Sequence, residues 1–568
     1  MTTTLADIPR LKQQTDQIRD WHHQLRRTPP LIRLWMNRPD GAPGLVLRGR
    51  ITETVAGKFP WRENQAQPGM LRLRLDHHLA RWLISIPEDP QARKNVVITV
   101  DHMGGAKRWS GLLKNWNVVT KNRIHYLEVN FVDDLQFLQF MLGPPNPALP
   151  IPIFQFPRVL PIFGPAKWAI SMMILINLIR LNGHPWTLPD DPFNVESWDD
   201  LFDWSDWQVF IKARPFDLDD SSLWTILATR MNRMDQVIAD ALDDAQLTMT
   251  YRRILTVDGE TSPIDGVPDI ANGALVFEVI DNSGYYGTAG TGTGGGIAFG
   301  LQRTIARFLD GFVEDTRVLL DDDQTIWPDE YYQGHWFGTV PSRPWVVVRD
   351  SPYSQMDTGQ LTWAPATAVS VIVGGDNPLA DQLARLTIES IAALIGYFLL
   401  GGFSGLGAII ADIVMPFLVG TILAWLQWTN HTRAHNLGWV HLWEVYQQGA
   451  ENNSWSLSAV AALRAGFLSS RSETAHQFTM RFGGEYLPGL HFDIGHRIAS
   501  TAAHVTDRLF VDQVEQMELA WDFEAGRTYS WDVTVGNAKA AMSQAERSAR
   551  LINKALQTLQ NLGVHLIS

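Results

Sequence analysis

Apolar residues recur with two different periods along this chain. Residues 8 to 28 carry helical spacing, with Asp7 placed to cap the first turn, Pro9 inside it, and Pro29-Pro30 ending it. A long stretch of period two follows. Leu71, Leu73 and Leu75 alternate with Arg72 and Arg74; Val96, Ile98 and Val100 alternate likewise, as do Leu127, Val129 and Phe131 against Glu128 and Asn130. With Leu45 to Val55 in front of them, these patterns predict an antiparallel sheet or barrel with one wet face over residues 31–135. Prolines 144, 145, 147, 150 and 152 then mark an irregular connection.

Helical patterning returns from Pro165 to Ile179 and from Ser222 to Leu247, and strands are predicted at Thr248–Ile254 and Ala274–Ile280. Residues 136–375 therefore form a mixed middle region, with a Pro/Trp-rich part from Trp327 to Trp363. Residues 380 to 446 look wholly helical, within an apolar helical region 376–446. Strands resume at Phe478–Phe482, Leu490–Ile494, Leu509–Trp521 and Tyr529–Val535, giving a second β-rich unit over 447–536. A last helix occupies 537–568; Met542, Ala545, Ala549, Ile552, Leu556 and Leu559 step by threes and fours along it. That spacing suits the seam of a short coiled coil, or a helix packed on its own domain. The predicted fold class is α+β, with two antiparallel β-barrel domains, a mixed middle, an apolar helical pair and a C-terminal helix.

Between Ser390 and Ala411 no charged residue or histidine occurs, and apolar character continues from Ile413 to Trp428. Gly401 and Gly402 suit a junction between two helices there, and the glycines at 401, 402, 405 and 407 cut the first run short of a clean bilayer span. The pair is expected to be buried at a subunit interface or symmetry axis, through Ile391, Leu394, Ile395, Phe398, Leu399, Phe403, Ile409, Ile413, Phe417 and Leu418. Insertion of the same pair into a host envelope is the alternative.

Composition narrows the chemistry. The 568 residues suffice for several compact units, and a formal net charge of −13 disfavours a grip on nucleic acid. No cysteine is present, which excludes disulfide frameworks, thiolate metal sites and cysteine nucleophiles. Met1 to Asp7 has neither the basic nor the apolar part of a secretory signal, so release by cell lysis is expected if the protein works outside the cell. The 23 tryptophans are spread from Trp21 to Trp531, as expected of core and interface filler.

The motifs that could carry chemistry each fall short. Gly290 to Gly295 matches G-x-G-x-x-G, but Asp281 to Ala289 separates it from the preceding strand, where a dinucleotide fingerprint needs a tight turn. His431 and His435 lie one helical turn apart, yet Thr432 stands where a metalloprotease needs its glutamate. Leu406 breaks the serine-hydrolase elbow at Gly402-Phe403-Ser404-Gly405. Asp190-Asp191, Asp219-Asp220 and Asp321 to Asp323 suit solvated turns and caps. No catalytic, cofactor or metal residue is assigned, and a cell-wall hydrolase stays only as a lesser alternative suggested by tryptophans and carboxylates.

Several longer runs carry a resemblance. Leu47-Arg48-Gly49-Arg50-Ile51, Leu79-Ala80-Arg81-Trp82, Lys94 to Asp101 and Arg108-Trp109-Ser110-Gly111 are among them. So are Phe163 to Ala169, Leu188 to Pro192, Leu242 to Thr248, Ala461 to Phe467 and Leu519-Ala520-Trp521-Asp522. Together they resemble the hub-like minor tail proteins of siphophages that infect mycobacteria and related actinobacteria. The resemblance implies a homotrimeric tail-tip hub in which each chain contributes two barrel domains below the distal tail protein. It further implies contacts with the tape measure protein and with other minor tail or receptor-binding proteins, a place in the virion, and a structural rather than enzymatic role.

Overall fold

The computed structural model describes residues 8–147, 160–183, 204–285, 341–374, 425–446 and 473–536, apart from single positions within them, and a few residues near 296–304, 327, 331 and 466–470. The first predicted helix is present as α1 (Ile8–Arg27). Strands β1 (Leu31–Asn37), β2 (Leu45–Ile51), β3 (Ala56–Arg62) and β4 (Pro68–Arg74) follow, then the short helix α2 (His78–Ser85). Next come β5 (Val96–His102), β6 (Lys107–Lys121) and β7 (Ile124–Asp133).

The middle contributes α3 (Gln136–Gln139), β8 (Leu142–Gly143), β9 (Leu160–Pro165), α4 (Ala166–Gly183), β10 (Val209–Ile211), β11 (Trp224–Thr229) and β12 (Asn232–Arg233). It continues with α5 (Met234–Ala245), β13 (Leu247–Ile254) and β14 (Ala274–Asp281). Then come β15 (Val347–Val348), β16 (Met356–Ala364), β17 (Ala368–Gly374), β18 (Trp425–Thr429), α6 (His431–Leu437) and β19 (Leu442–Tyr446). Strands β20 (Glu473–Met480), β21 (Arg497–Thr501), β22 (Leu509–Asp522) and β23 (Arg527–Val535) complete the described elements.

Two compact units divide the chain. The first holds Met1–Leu301, Gln324–Gln360 and His476–Asn537; the second holds Gln302–Asp323, Leu361–Ala475 and Ala538–Ser568. The fold is mostly β, built on a large antiparallel sheet of strand order β16-β20-β23-β22-β3-β4-β7-β6-β5-β1-β2. Strands from both predicted β-rich stretches therefore share one sheet. They meet where β22 pairs with β3, in a register running from Gln516 opposite Arg62 to Asp522 opposite Ala56. Among the described residues this sheet closes into no barrel.

Alternation explains most strands. Leu71 and Leu73 in β4, and Leu127, Val129 and Phe131 in β7, are buried, while the residues between them are less covered. β5 departs from the expected wet face, being buried at every position. Its second face is covered by Trp35 and Leu255, which pack around Val97. A small cluster on the far side thus turns an alternating strand into a central one.

Three expectations need correction. Within Ser222–Leu247, residues 224–229 form a strand against β9 before α5 begins. Of 376–446 only 425–446 lies among the described residues; there 425–429 and 442–446 are strands and His431–Leu437 is helical. Trp, Val, Thr and Tyr favour a pleated, half-buried surface, and a short apolar run lacks the length to distinguish helix from strand. Finally, Leu490–Ile494 forms no strand; Arg497–Thr501 does.

Candidate functional site

The residues that the sequence favours as a site, Ile391 through Leu418 in the apolar pair and Met542 through Leu559 in the terminal seam, lie outside the described residues. So do the glycine run 290–295, the elbow-like Gly402–Leu406, Asp190-Asp191 and Asp321–Asp323. Asp220 is described, and it caps: its carboxylate accepts from the backbone N–H of Trp168 at 2.9 Å, in the first turn of α4. His431 and His435 are exposed on α6, and among the described residues no group of ligands is placed to hold a metal.

What α6 does position is Arg433. Asn430 caps the helix by accepting from the Arg433 N–H, and the Arg433 side chain is 1 % exposed. Its guanidinium donates to the carbonyl of Ala368 at 2.8 Å, to Ser470 Oγ at 2.9 Å and to the carbonyl of Phe467 at 3.2 Å, and lies 5.2 Å from the Phe467 ring. One buried cation thus ties α6 to β17 and to residues 467–470. Nothing in the sequence separates Arg433 from an ordinary helix-surface arginine.

Beyond α6, the second unit presents an unusual surface. Its three-stranded sheet runs β18-β17-β19, which leaves β19 at an edge. On and just before that edge, Trp439 is 97 % exposed, Val440 81 % and Trp443 77 %, with Leu442 and Tyr446 also exposed. Single exposed apolar residues are ordinary. Five within eight positions, on a strand at the edge of its sheet among the described residues, make an exposed apolar patch.

In the first unit, polar chemistry is internal. Arg33 donates to Asp101 at 2.7 Å and to Asp258 at 2.6 Å, and Arg108 donates to the other oxygen of Asp101 at 2.5 Å and to Glu260 at 2.8 Å. Arg252 reaches the second oxygen of Glu260 at 2.7 Å. Burial alone would raise the Glu260 carboxyl, but hydrogen bonds from Arg108, the Leu255 N–H and Arg252 hold it at about 2. Nearby, Arg253 grips Asp134 with two bonds of 2.6 and 2.8 Å. These pairs join β1, β5, β6 and the end of β7 to β13 and the loop after it.

A cleft of about 520 Å³ opens beside this network, lined by Trp61, Lys107, Arg108, Asp133, Tyr251 and Glu260 among others. Its cations already have carboxylate partners: Lys107 with Asp493, Lys212 with Glu278, Arg62 with Glu515, and Arg108 and Arg252 with Glu260. Burial pushes Asp133 up to about 8, although it accepts from the N–H groups of Gln67 and Leu135. These pairings tie the elements that line the cleft to one another.

The first unit is a broad β-sheet scaffold tied by buried ion pairs, and the second carries an exposed apolar strand. Comparison with known proteins gives this chain a family. Residues 31–537 match the family of the Siphovirus ReqiPepy6 Gp37-like protein, and the chain belongs to it. It is 28 % identical to the minor tail protein Gp28 of Mycobacterium phage L5 over 562 residues, covering 90 % of this chain and 92 % of that one. It is also 28 % identical to the Gp28 minor tail protein of Mycobacterium phage D29 over 570 residues, covering 92 % and 93 %. The resemblance carried by the sequence motifs is thereby shown.

Solved structures offer more distant likenesses. One is a tail protein from Neisseria meningitidis (8 % identity, TM-score 0.38, covering 90 % of this chain and 97 % of that one). Another is a prophage tail protein of 43 kDa from Shewanella oneidensis (8 %, TM-score 0.37, 90 % and 99 %). At these scores the likeness adds nothing to the family assignment.

Proposed function

We propose that this chain is a structural minor tail protein acting as a homotrimeric hub at the tip of a siphophage tail, not an enzyme. The observation that carries the reading is the family match along 31–537, joined to nearly full-length similarity to two proteins named as minor tail proteins. Residues 31–135 and 447–536, whose strands share one sheet, supply the β scaffold of the hub. The hub closes the tail tube, sits against the distal tail and tape measure proteins, and anchors other minor tail or receptor-binding proteins. The apolar pair acts as plug or subunit interface, and the terminal seam gathers the three chains. Receptor engagement then shifts an interface between chains and opens the lumen, a mechanical step that requires no cofactor. The exposed edge around Trp439 and Trp443 supports a role built on contacts.

Light scattering on the purified chain tests the oligomer: three times 63.9 kDa is expected. A monomer at every concentration would remove the trimer from the reading. Immunogold labelling of virions tests the position, with label at the distal end of the tail expected and label along the tube refuting it. Ile395→Asp is expected to abolish virion assembly; normal virions of normal infectivity would remove the apolar pair from the interface.

A further inference from the structure

Helix α1 is held at one end only. In its last two turns Leu25 packs against the large core, His22 stacks edge-on against His491 with ring centroids 5.0 Å apart, and Arg26 donates to the carbonyl of Gly484. From Pro9 to Trp21 every residue is exposed. Yet Leu11 (44 % exposed), Ile18 (53 %) and Trp21 (47 %) fall with Leu25 inside an arc of about 80°, at about 100° per residue. The free turns thus continue, beyond the body of the protein, the same apolar stripe that Leu25 uses to bind it. Isolated helices of this length are marginal in water and gain stability mainly by packing such a face.

Charge indicates what lies against the stripe. The helix carries Arg10, Lys12, Arg19, Arg26 and Arg27 against Asp16 and Asp20, a formal +3, which leaves −16 on the rest of a chain of net −13. Both aspartates sit on the face turned away from the stripe, about 140° and 180° from Leu11. Arg10 flanks it directly. Arg19 and Lys12 lie about 80° and 100° from Leu11 on the other side, and a net basic helix with an apolar seam complements an acidic protein surface. It also repels an identical helix, so a bundle of three α1 helices is disfavoured. A membrane surface is the poorer fit, because interfacial helices present a broad apolar face, whereas Thr15 and Gln17 flank this one closely and Gln14 interrupts it.

We propose that α1 is a subunit-docking arm, whose stripe of Leu11, Ile18 and Trp21 binds the acidic body of a second copy of this chain. The inference rests on the oligomeric reading above and adds the element that joins one copy to the next.

The absence of cysteine makes the test direct. Gln14→Cys, within the stripe and exposed, is labelled with a benzophenone maleimide in the full chain, and light and ¹⁵N-labelled preparations are mixed before illumination. Cross-links joining light to heavy chains, mapped from residue 14 to positions outside α1, are expected. Leu11→Asp/Ile18→Asp alters only exposed side chains. It should keep the thermal transition of the parent while weakening self-association at least tenfold in sedimentation velocity. If the parent associates and the double variant associates equally, the docking arm is wrong while the oligomer stands. If the parent stays monomeric and no mixed cross-link forms, both fail. Co-sedimentation of the parent with phosphatidylglycerol vesicles, lost in the double variant and without mixed cross-links, would overturn the proposal in favour of a lipid surface.

Discussion

Replacing Asp134 by alanine removes one half of the best-enclosed ion pair in the first unit. The Asp134 and Arg253 side chains are 0 % and 6 % exposed, and the carboxylate takes two bonds from the guanidinium and one of 2.5 Å from Ser110 Oγ. In Asp134→Ala the guanidinium keeps its 2.9 Å bond to the carbonyl of Gly273 but loses its counter-charge in a site with little water. Breaking a buried pair from one side costs about 3–5 kcal/mol, most of it from the stranded charge. With a urea dependence of about 3 kcal/mol/M, the midpoint should fall by about 1–1.7 M. Tryptophan fluorescence reports the transition, since Trp109 and Trp61 lie in the same sheet. Arg253→Met added to Asp134→Ala removes the stranded charge and should restore most of the loss. A single variant within about 0.2 M of the parent, or a double variant no better than the single, would refute the reasoning.

Other residues give further tests. An added Cβ at Gly57 would sit 2.2 Å from the Trp521 ring, so Gly57→Ala should destabilise the β3–β22 junction by about 1–3 kcal/mol in urea titrations; an unchanged midpoint would argue against that packing. Burial lowers His102 to about 4, while Trp531 Nε1 donates to its Nδ1 at 3.1 Å. The unfolded histidine takes its proton near 6.5 and the folded one only near 4, so stability should fall by about 3 kcal/mol as pH drops across that window. His102→Asn should flatten that slope, as measured by denaturation at stepped pH. Trp439→Ser/Trp443→Ser should leave stability within about 0.5 kcal/mol of the parent but remove the chain from virions in a complementation assay; full incorporation would show the edge to be idle.

Local pattern carried the elements whose burial is one-sided. Leu71 and Leu73, or Leu127 to Phe131, alternate because one face meets the core, and α1 shows its helical spacing even where nothing covers it. The strands Trp224–Thr229, Trp425–Thr429 and Leu442–Tyr446 were not legible because short apolar runs fit either period. Pairing was less legible still. The β3–β22 register has no local signature, and neither does the bond from Asp134 to Arg253, 119 residues away. Arg433 looks like any helix-surface arginine until the fold surrounds it with carbonyl groups.

The junction of β3 with β22 also sets a schedule for synthesis. At about 5–20 residues per second, the ribosome needs roughly 25–90 s to travel from Arg62 to Asp522. Throughout that interval β3 has one edge without its partner strand, and Phe59 and Trp61 lack the cover that Met517, Leu519 and Trp521 later give them. Nascent chains of this protein are therefore exposed to aggregation for most of their translation. Fragments ending before residue 509 should gather in inclusion bodies.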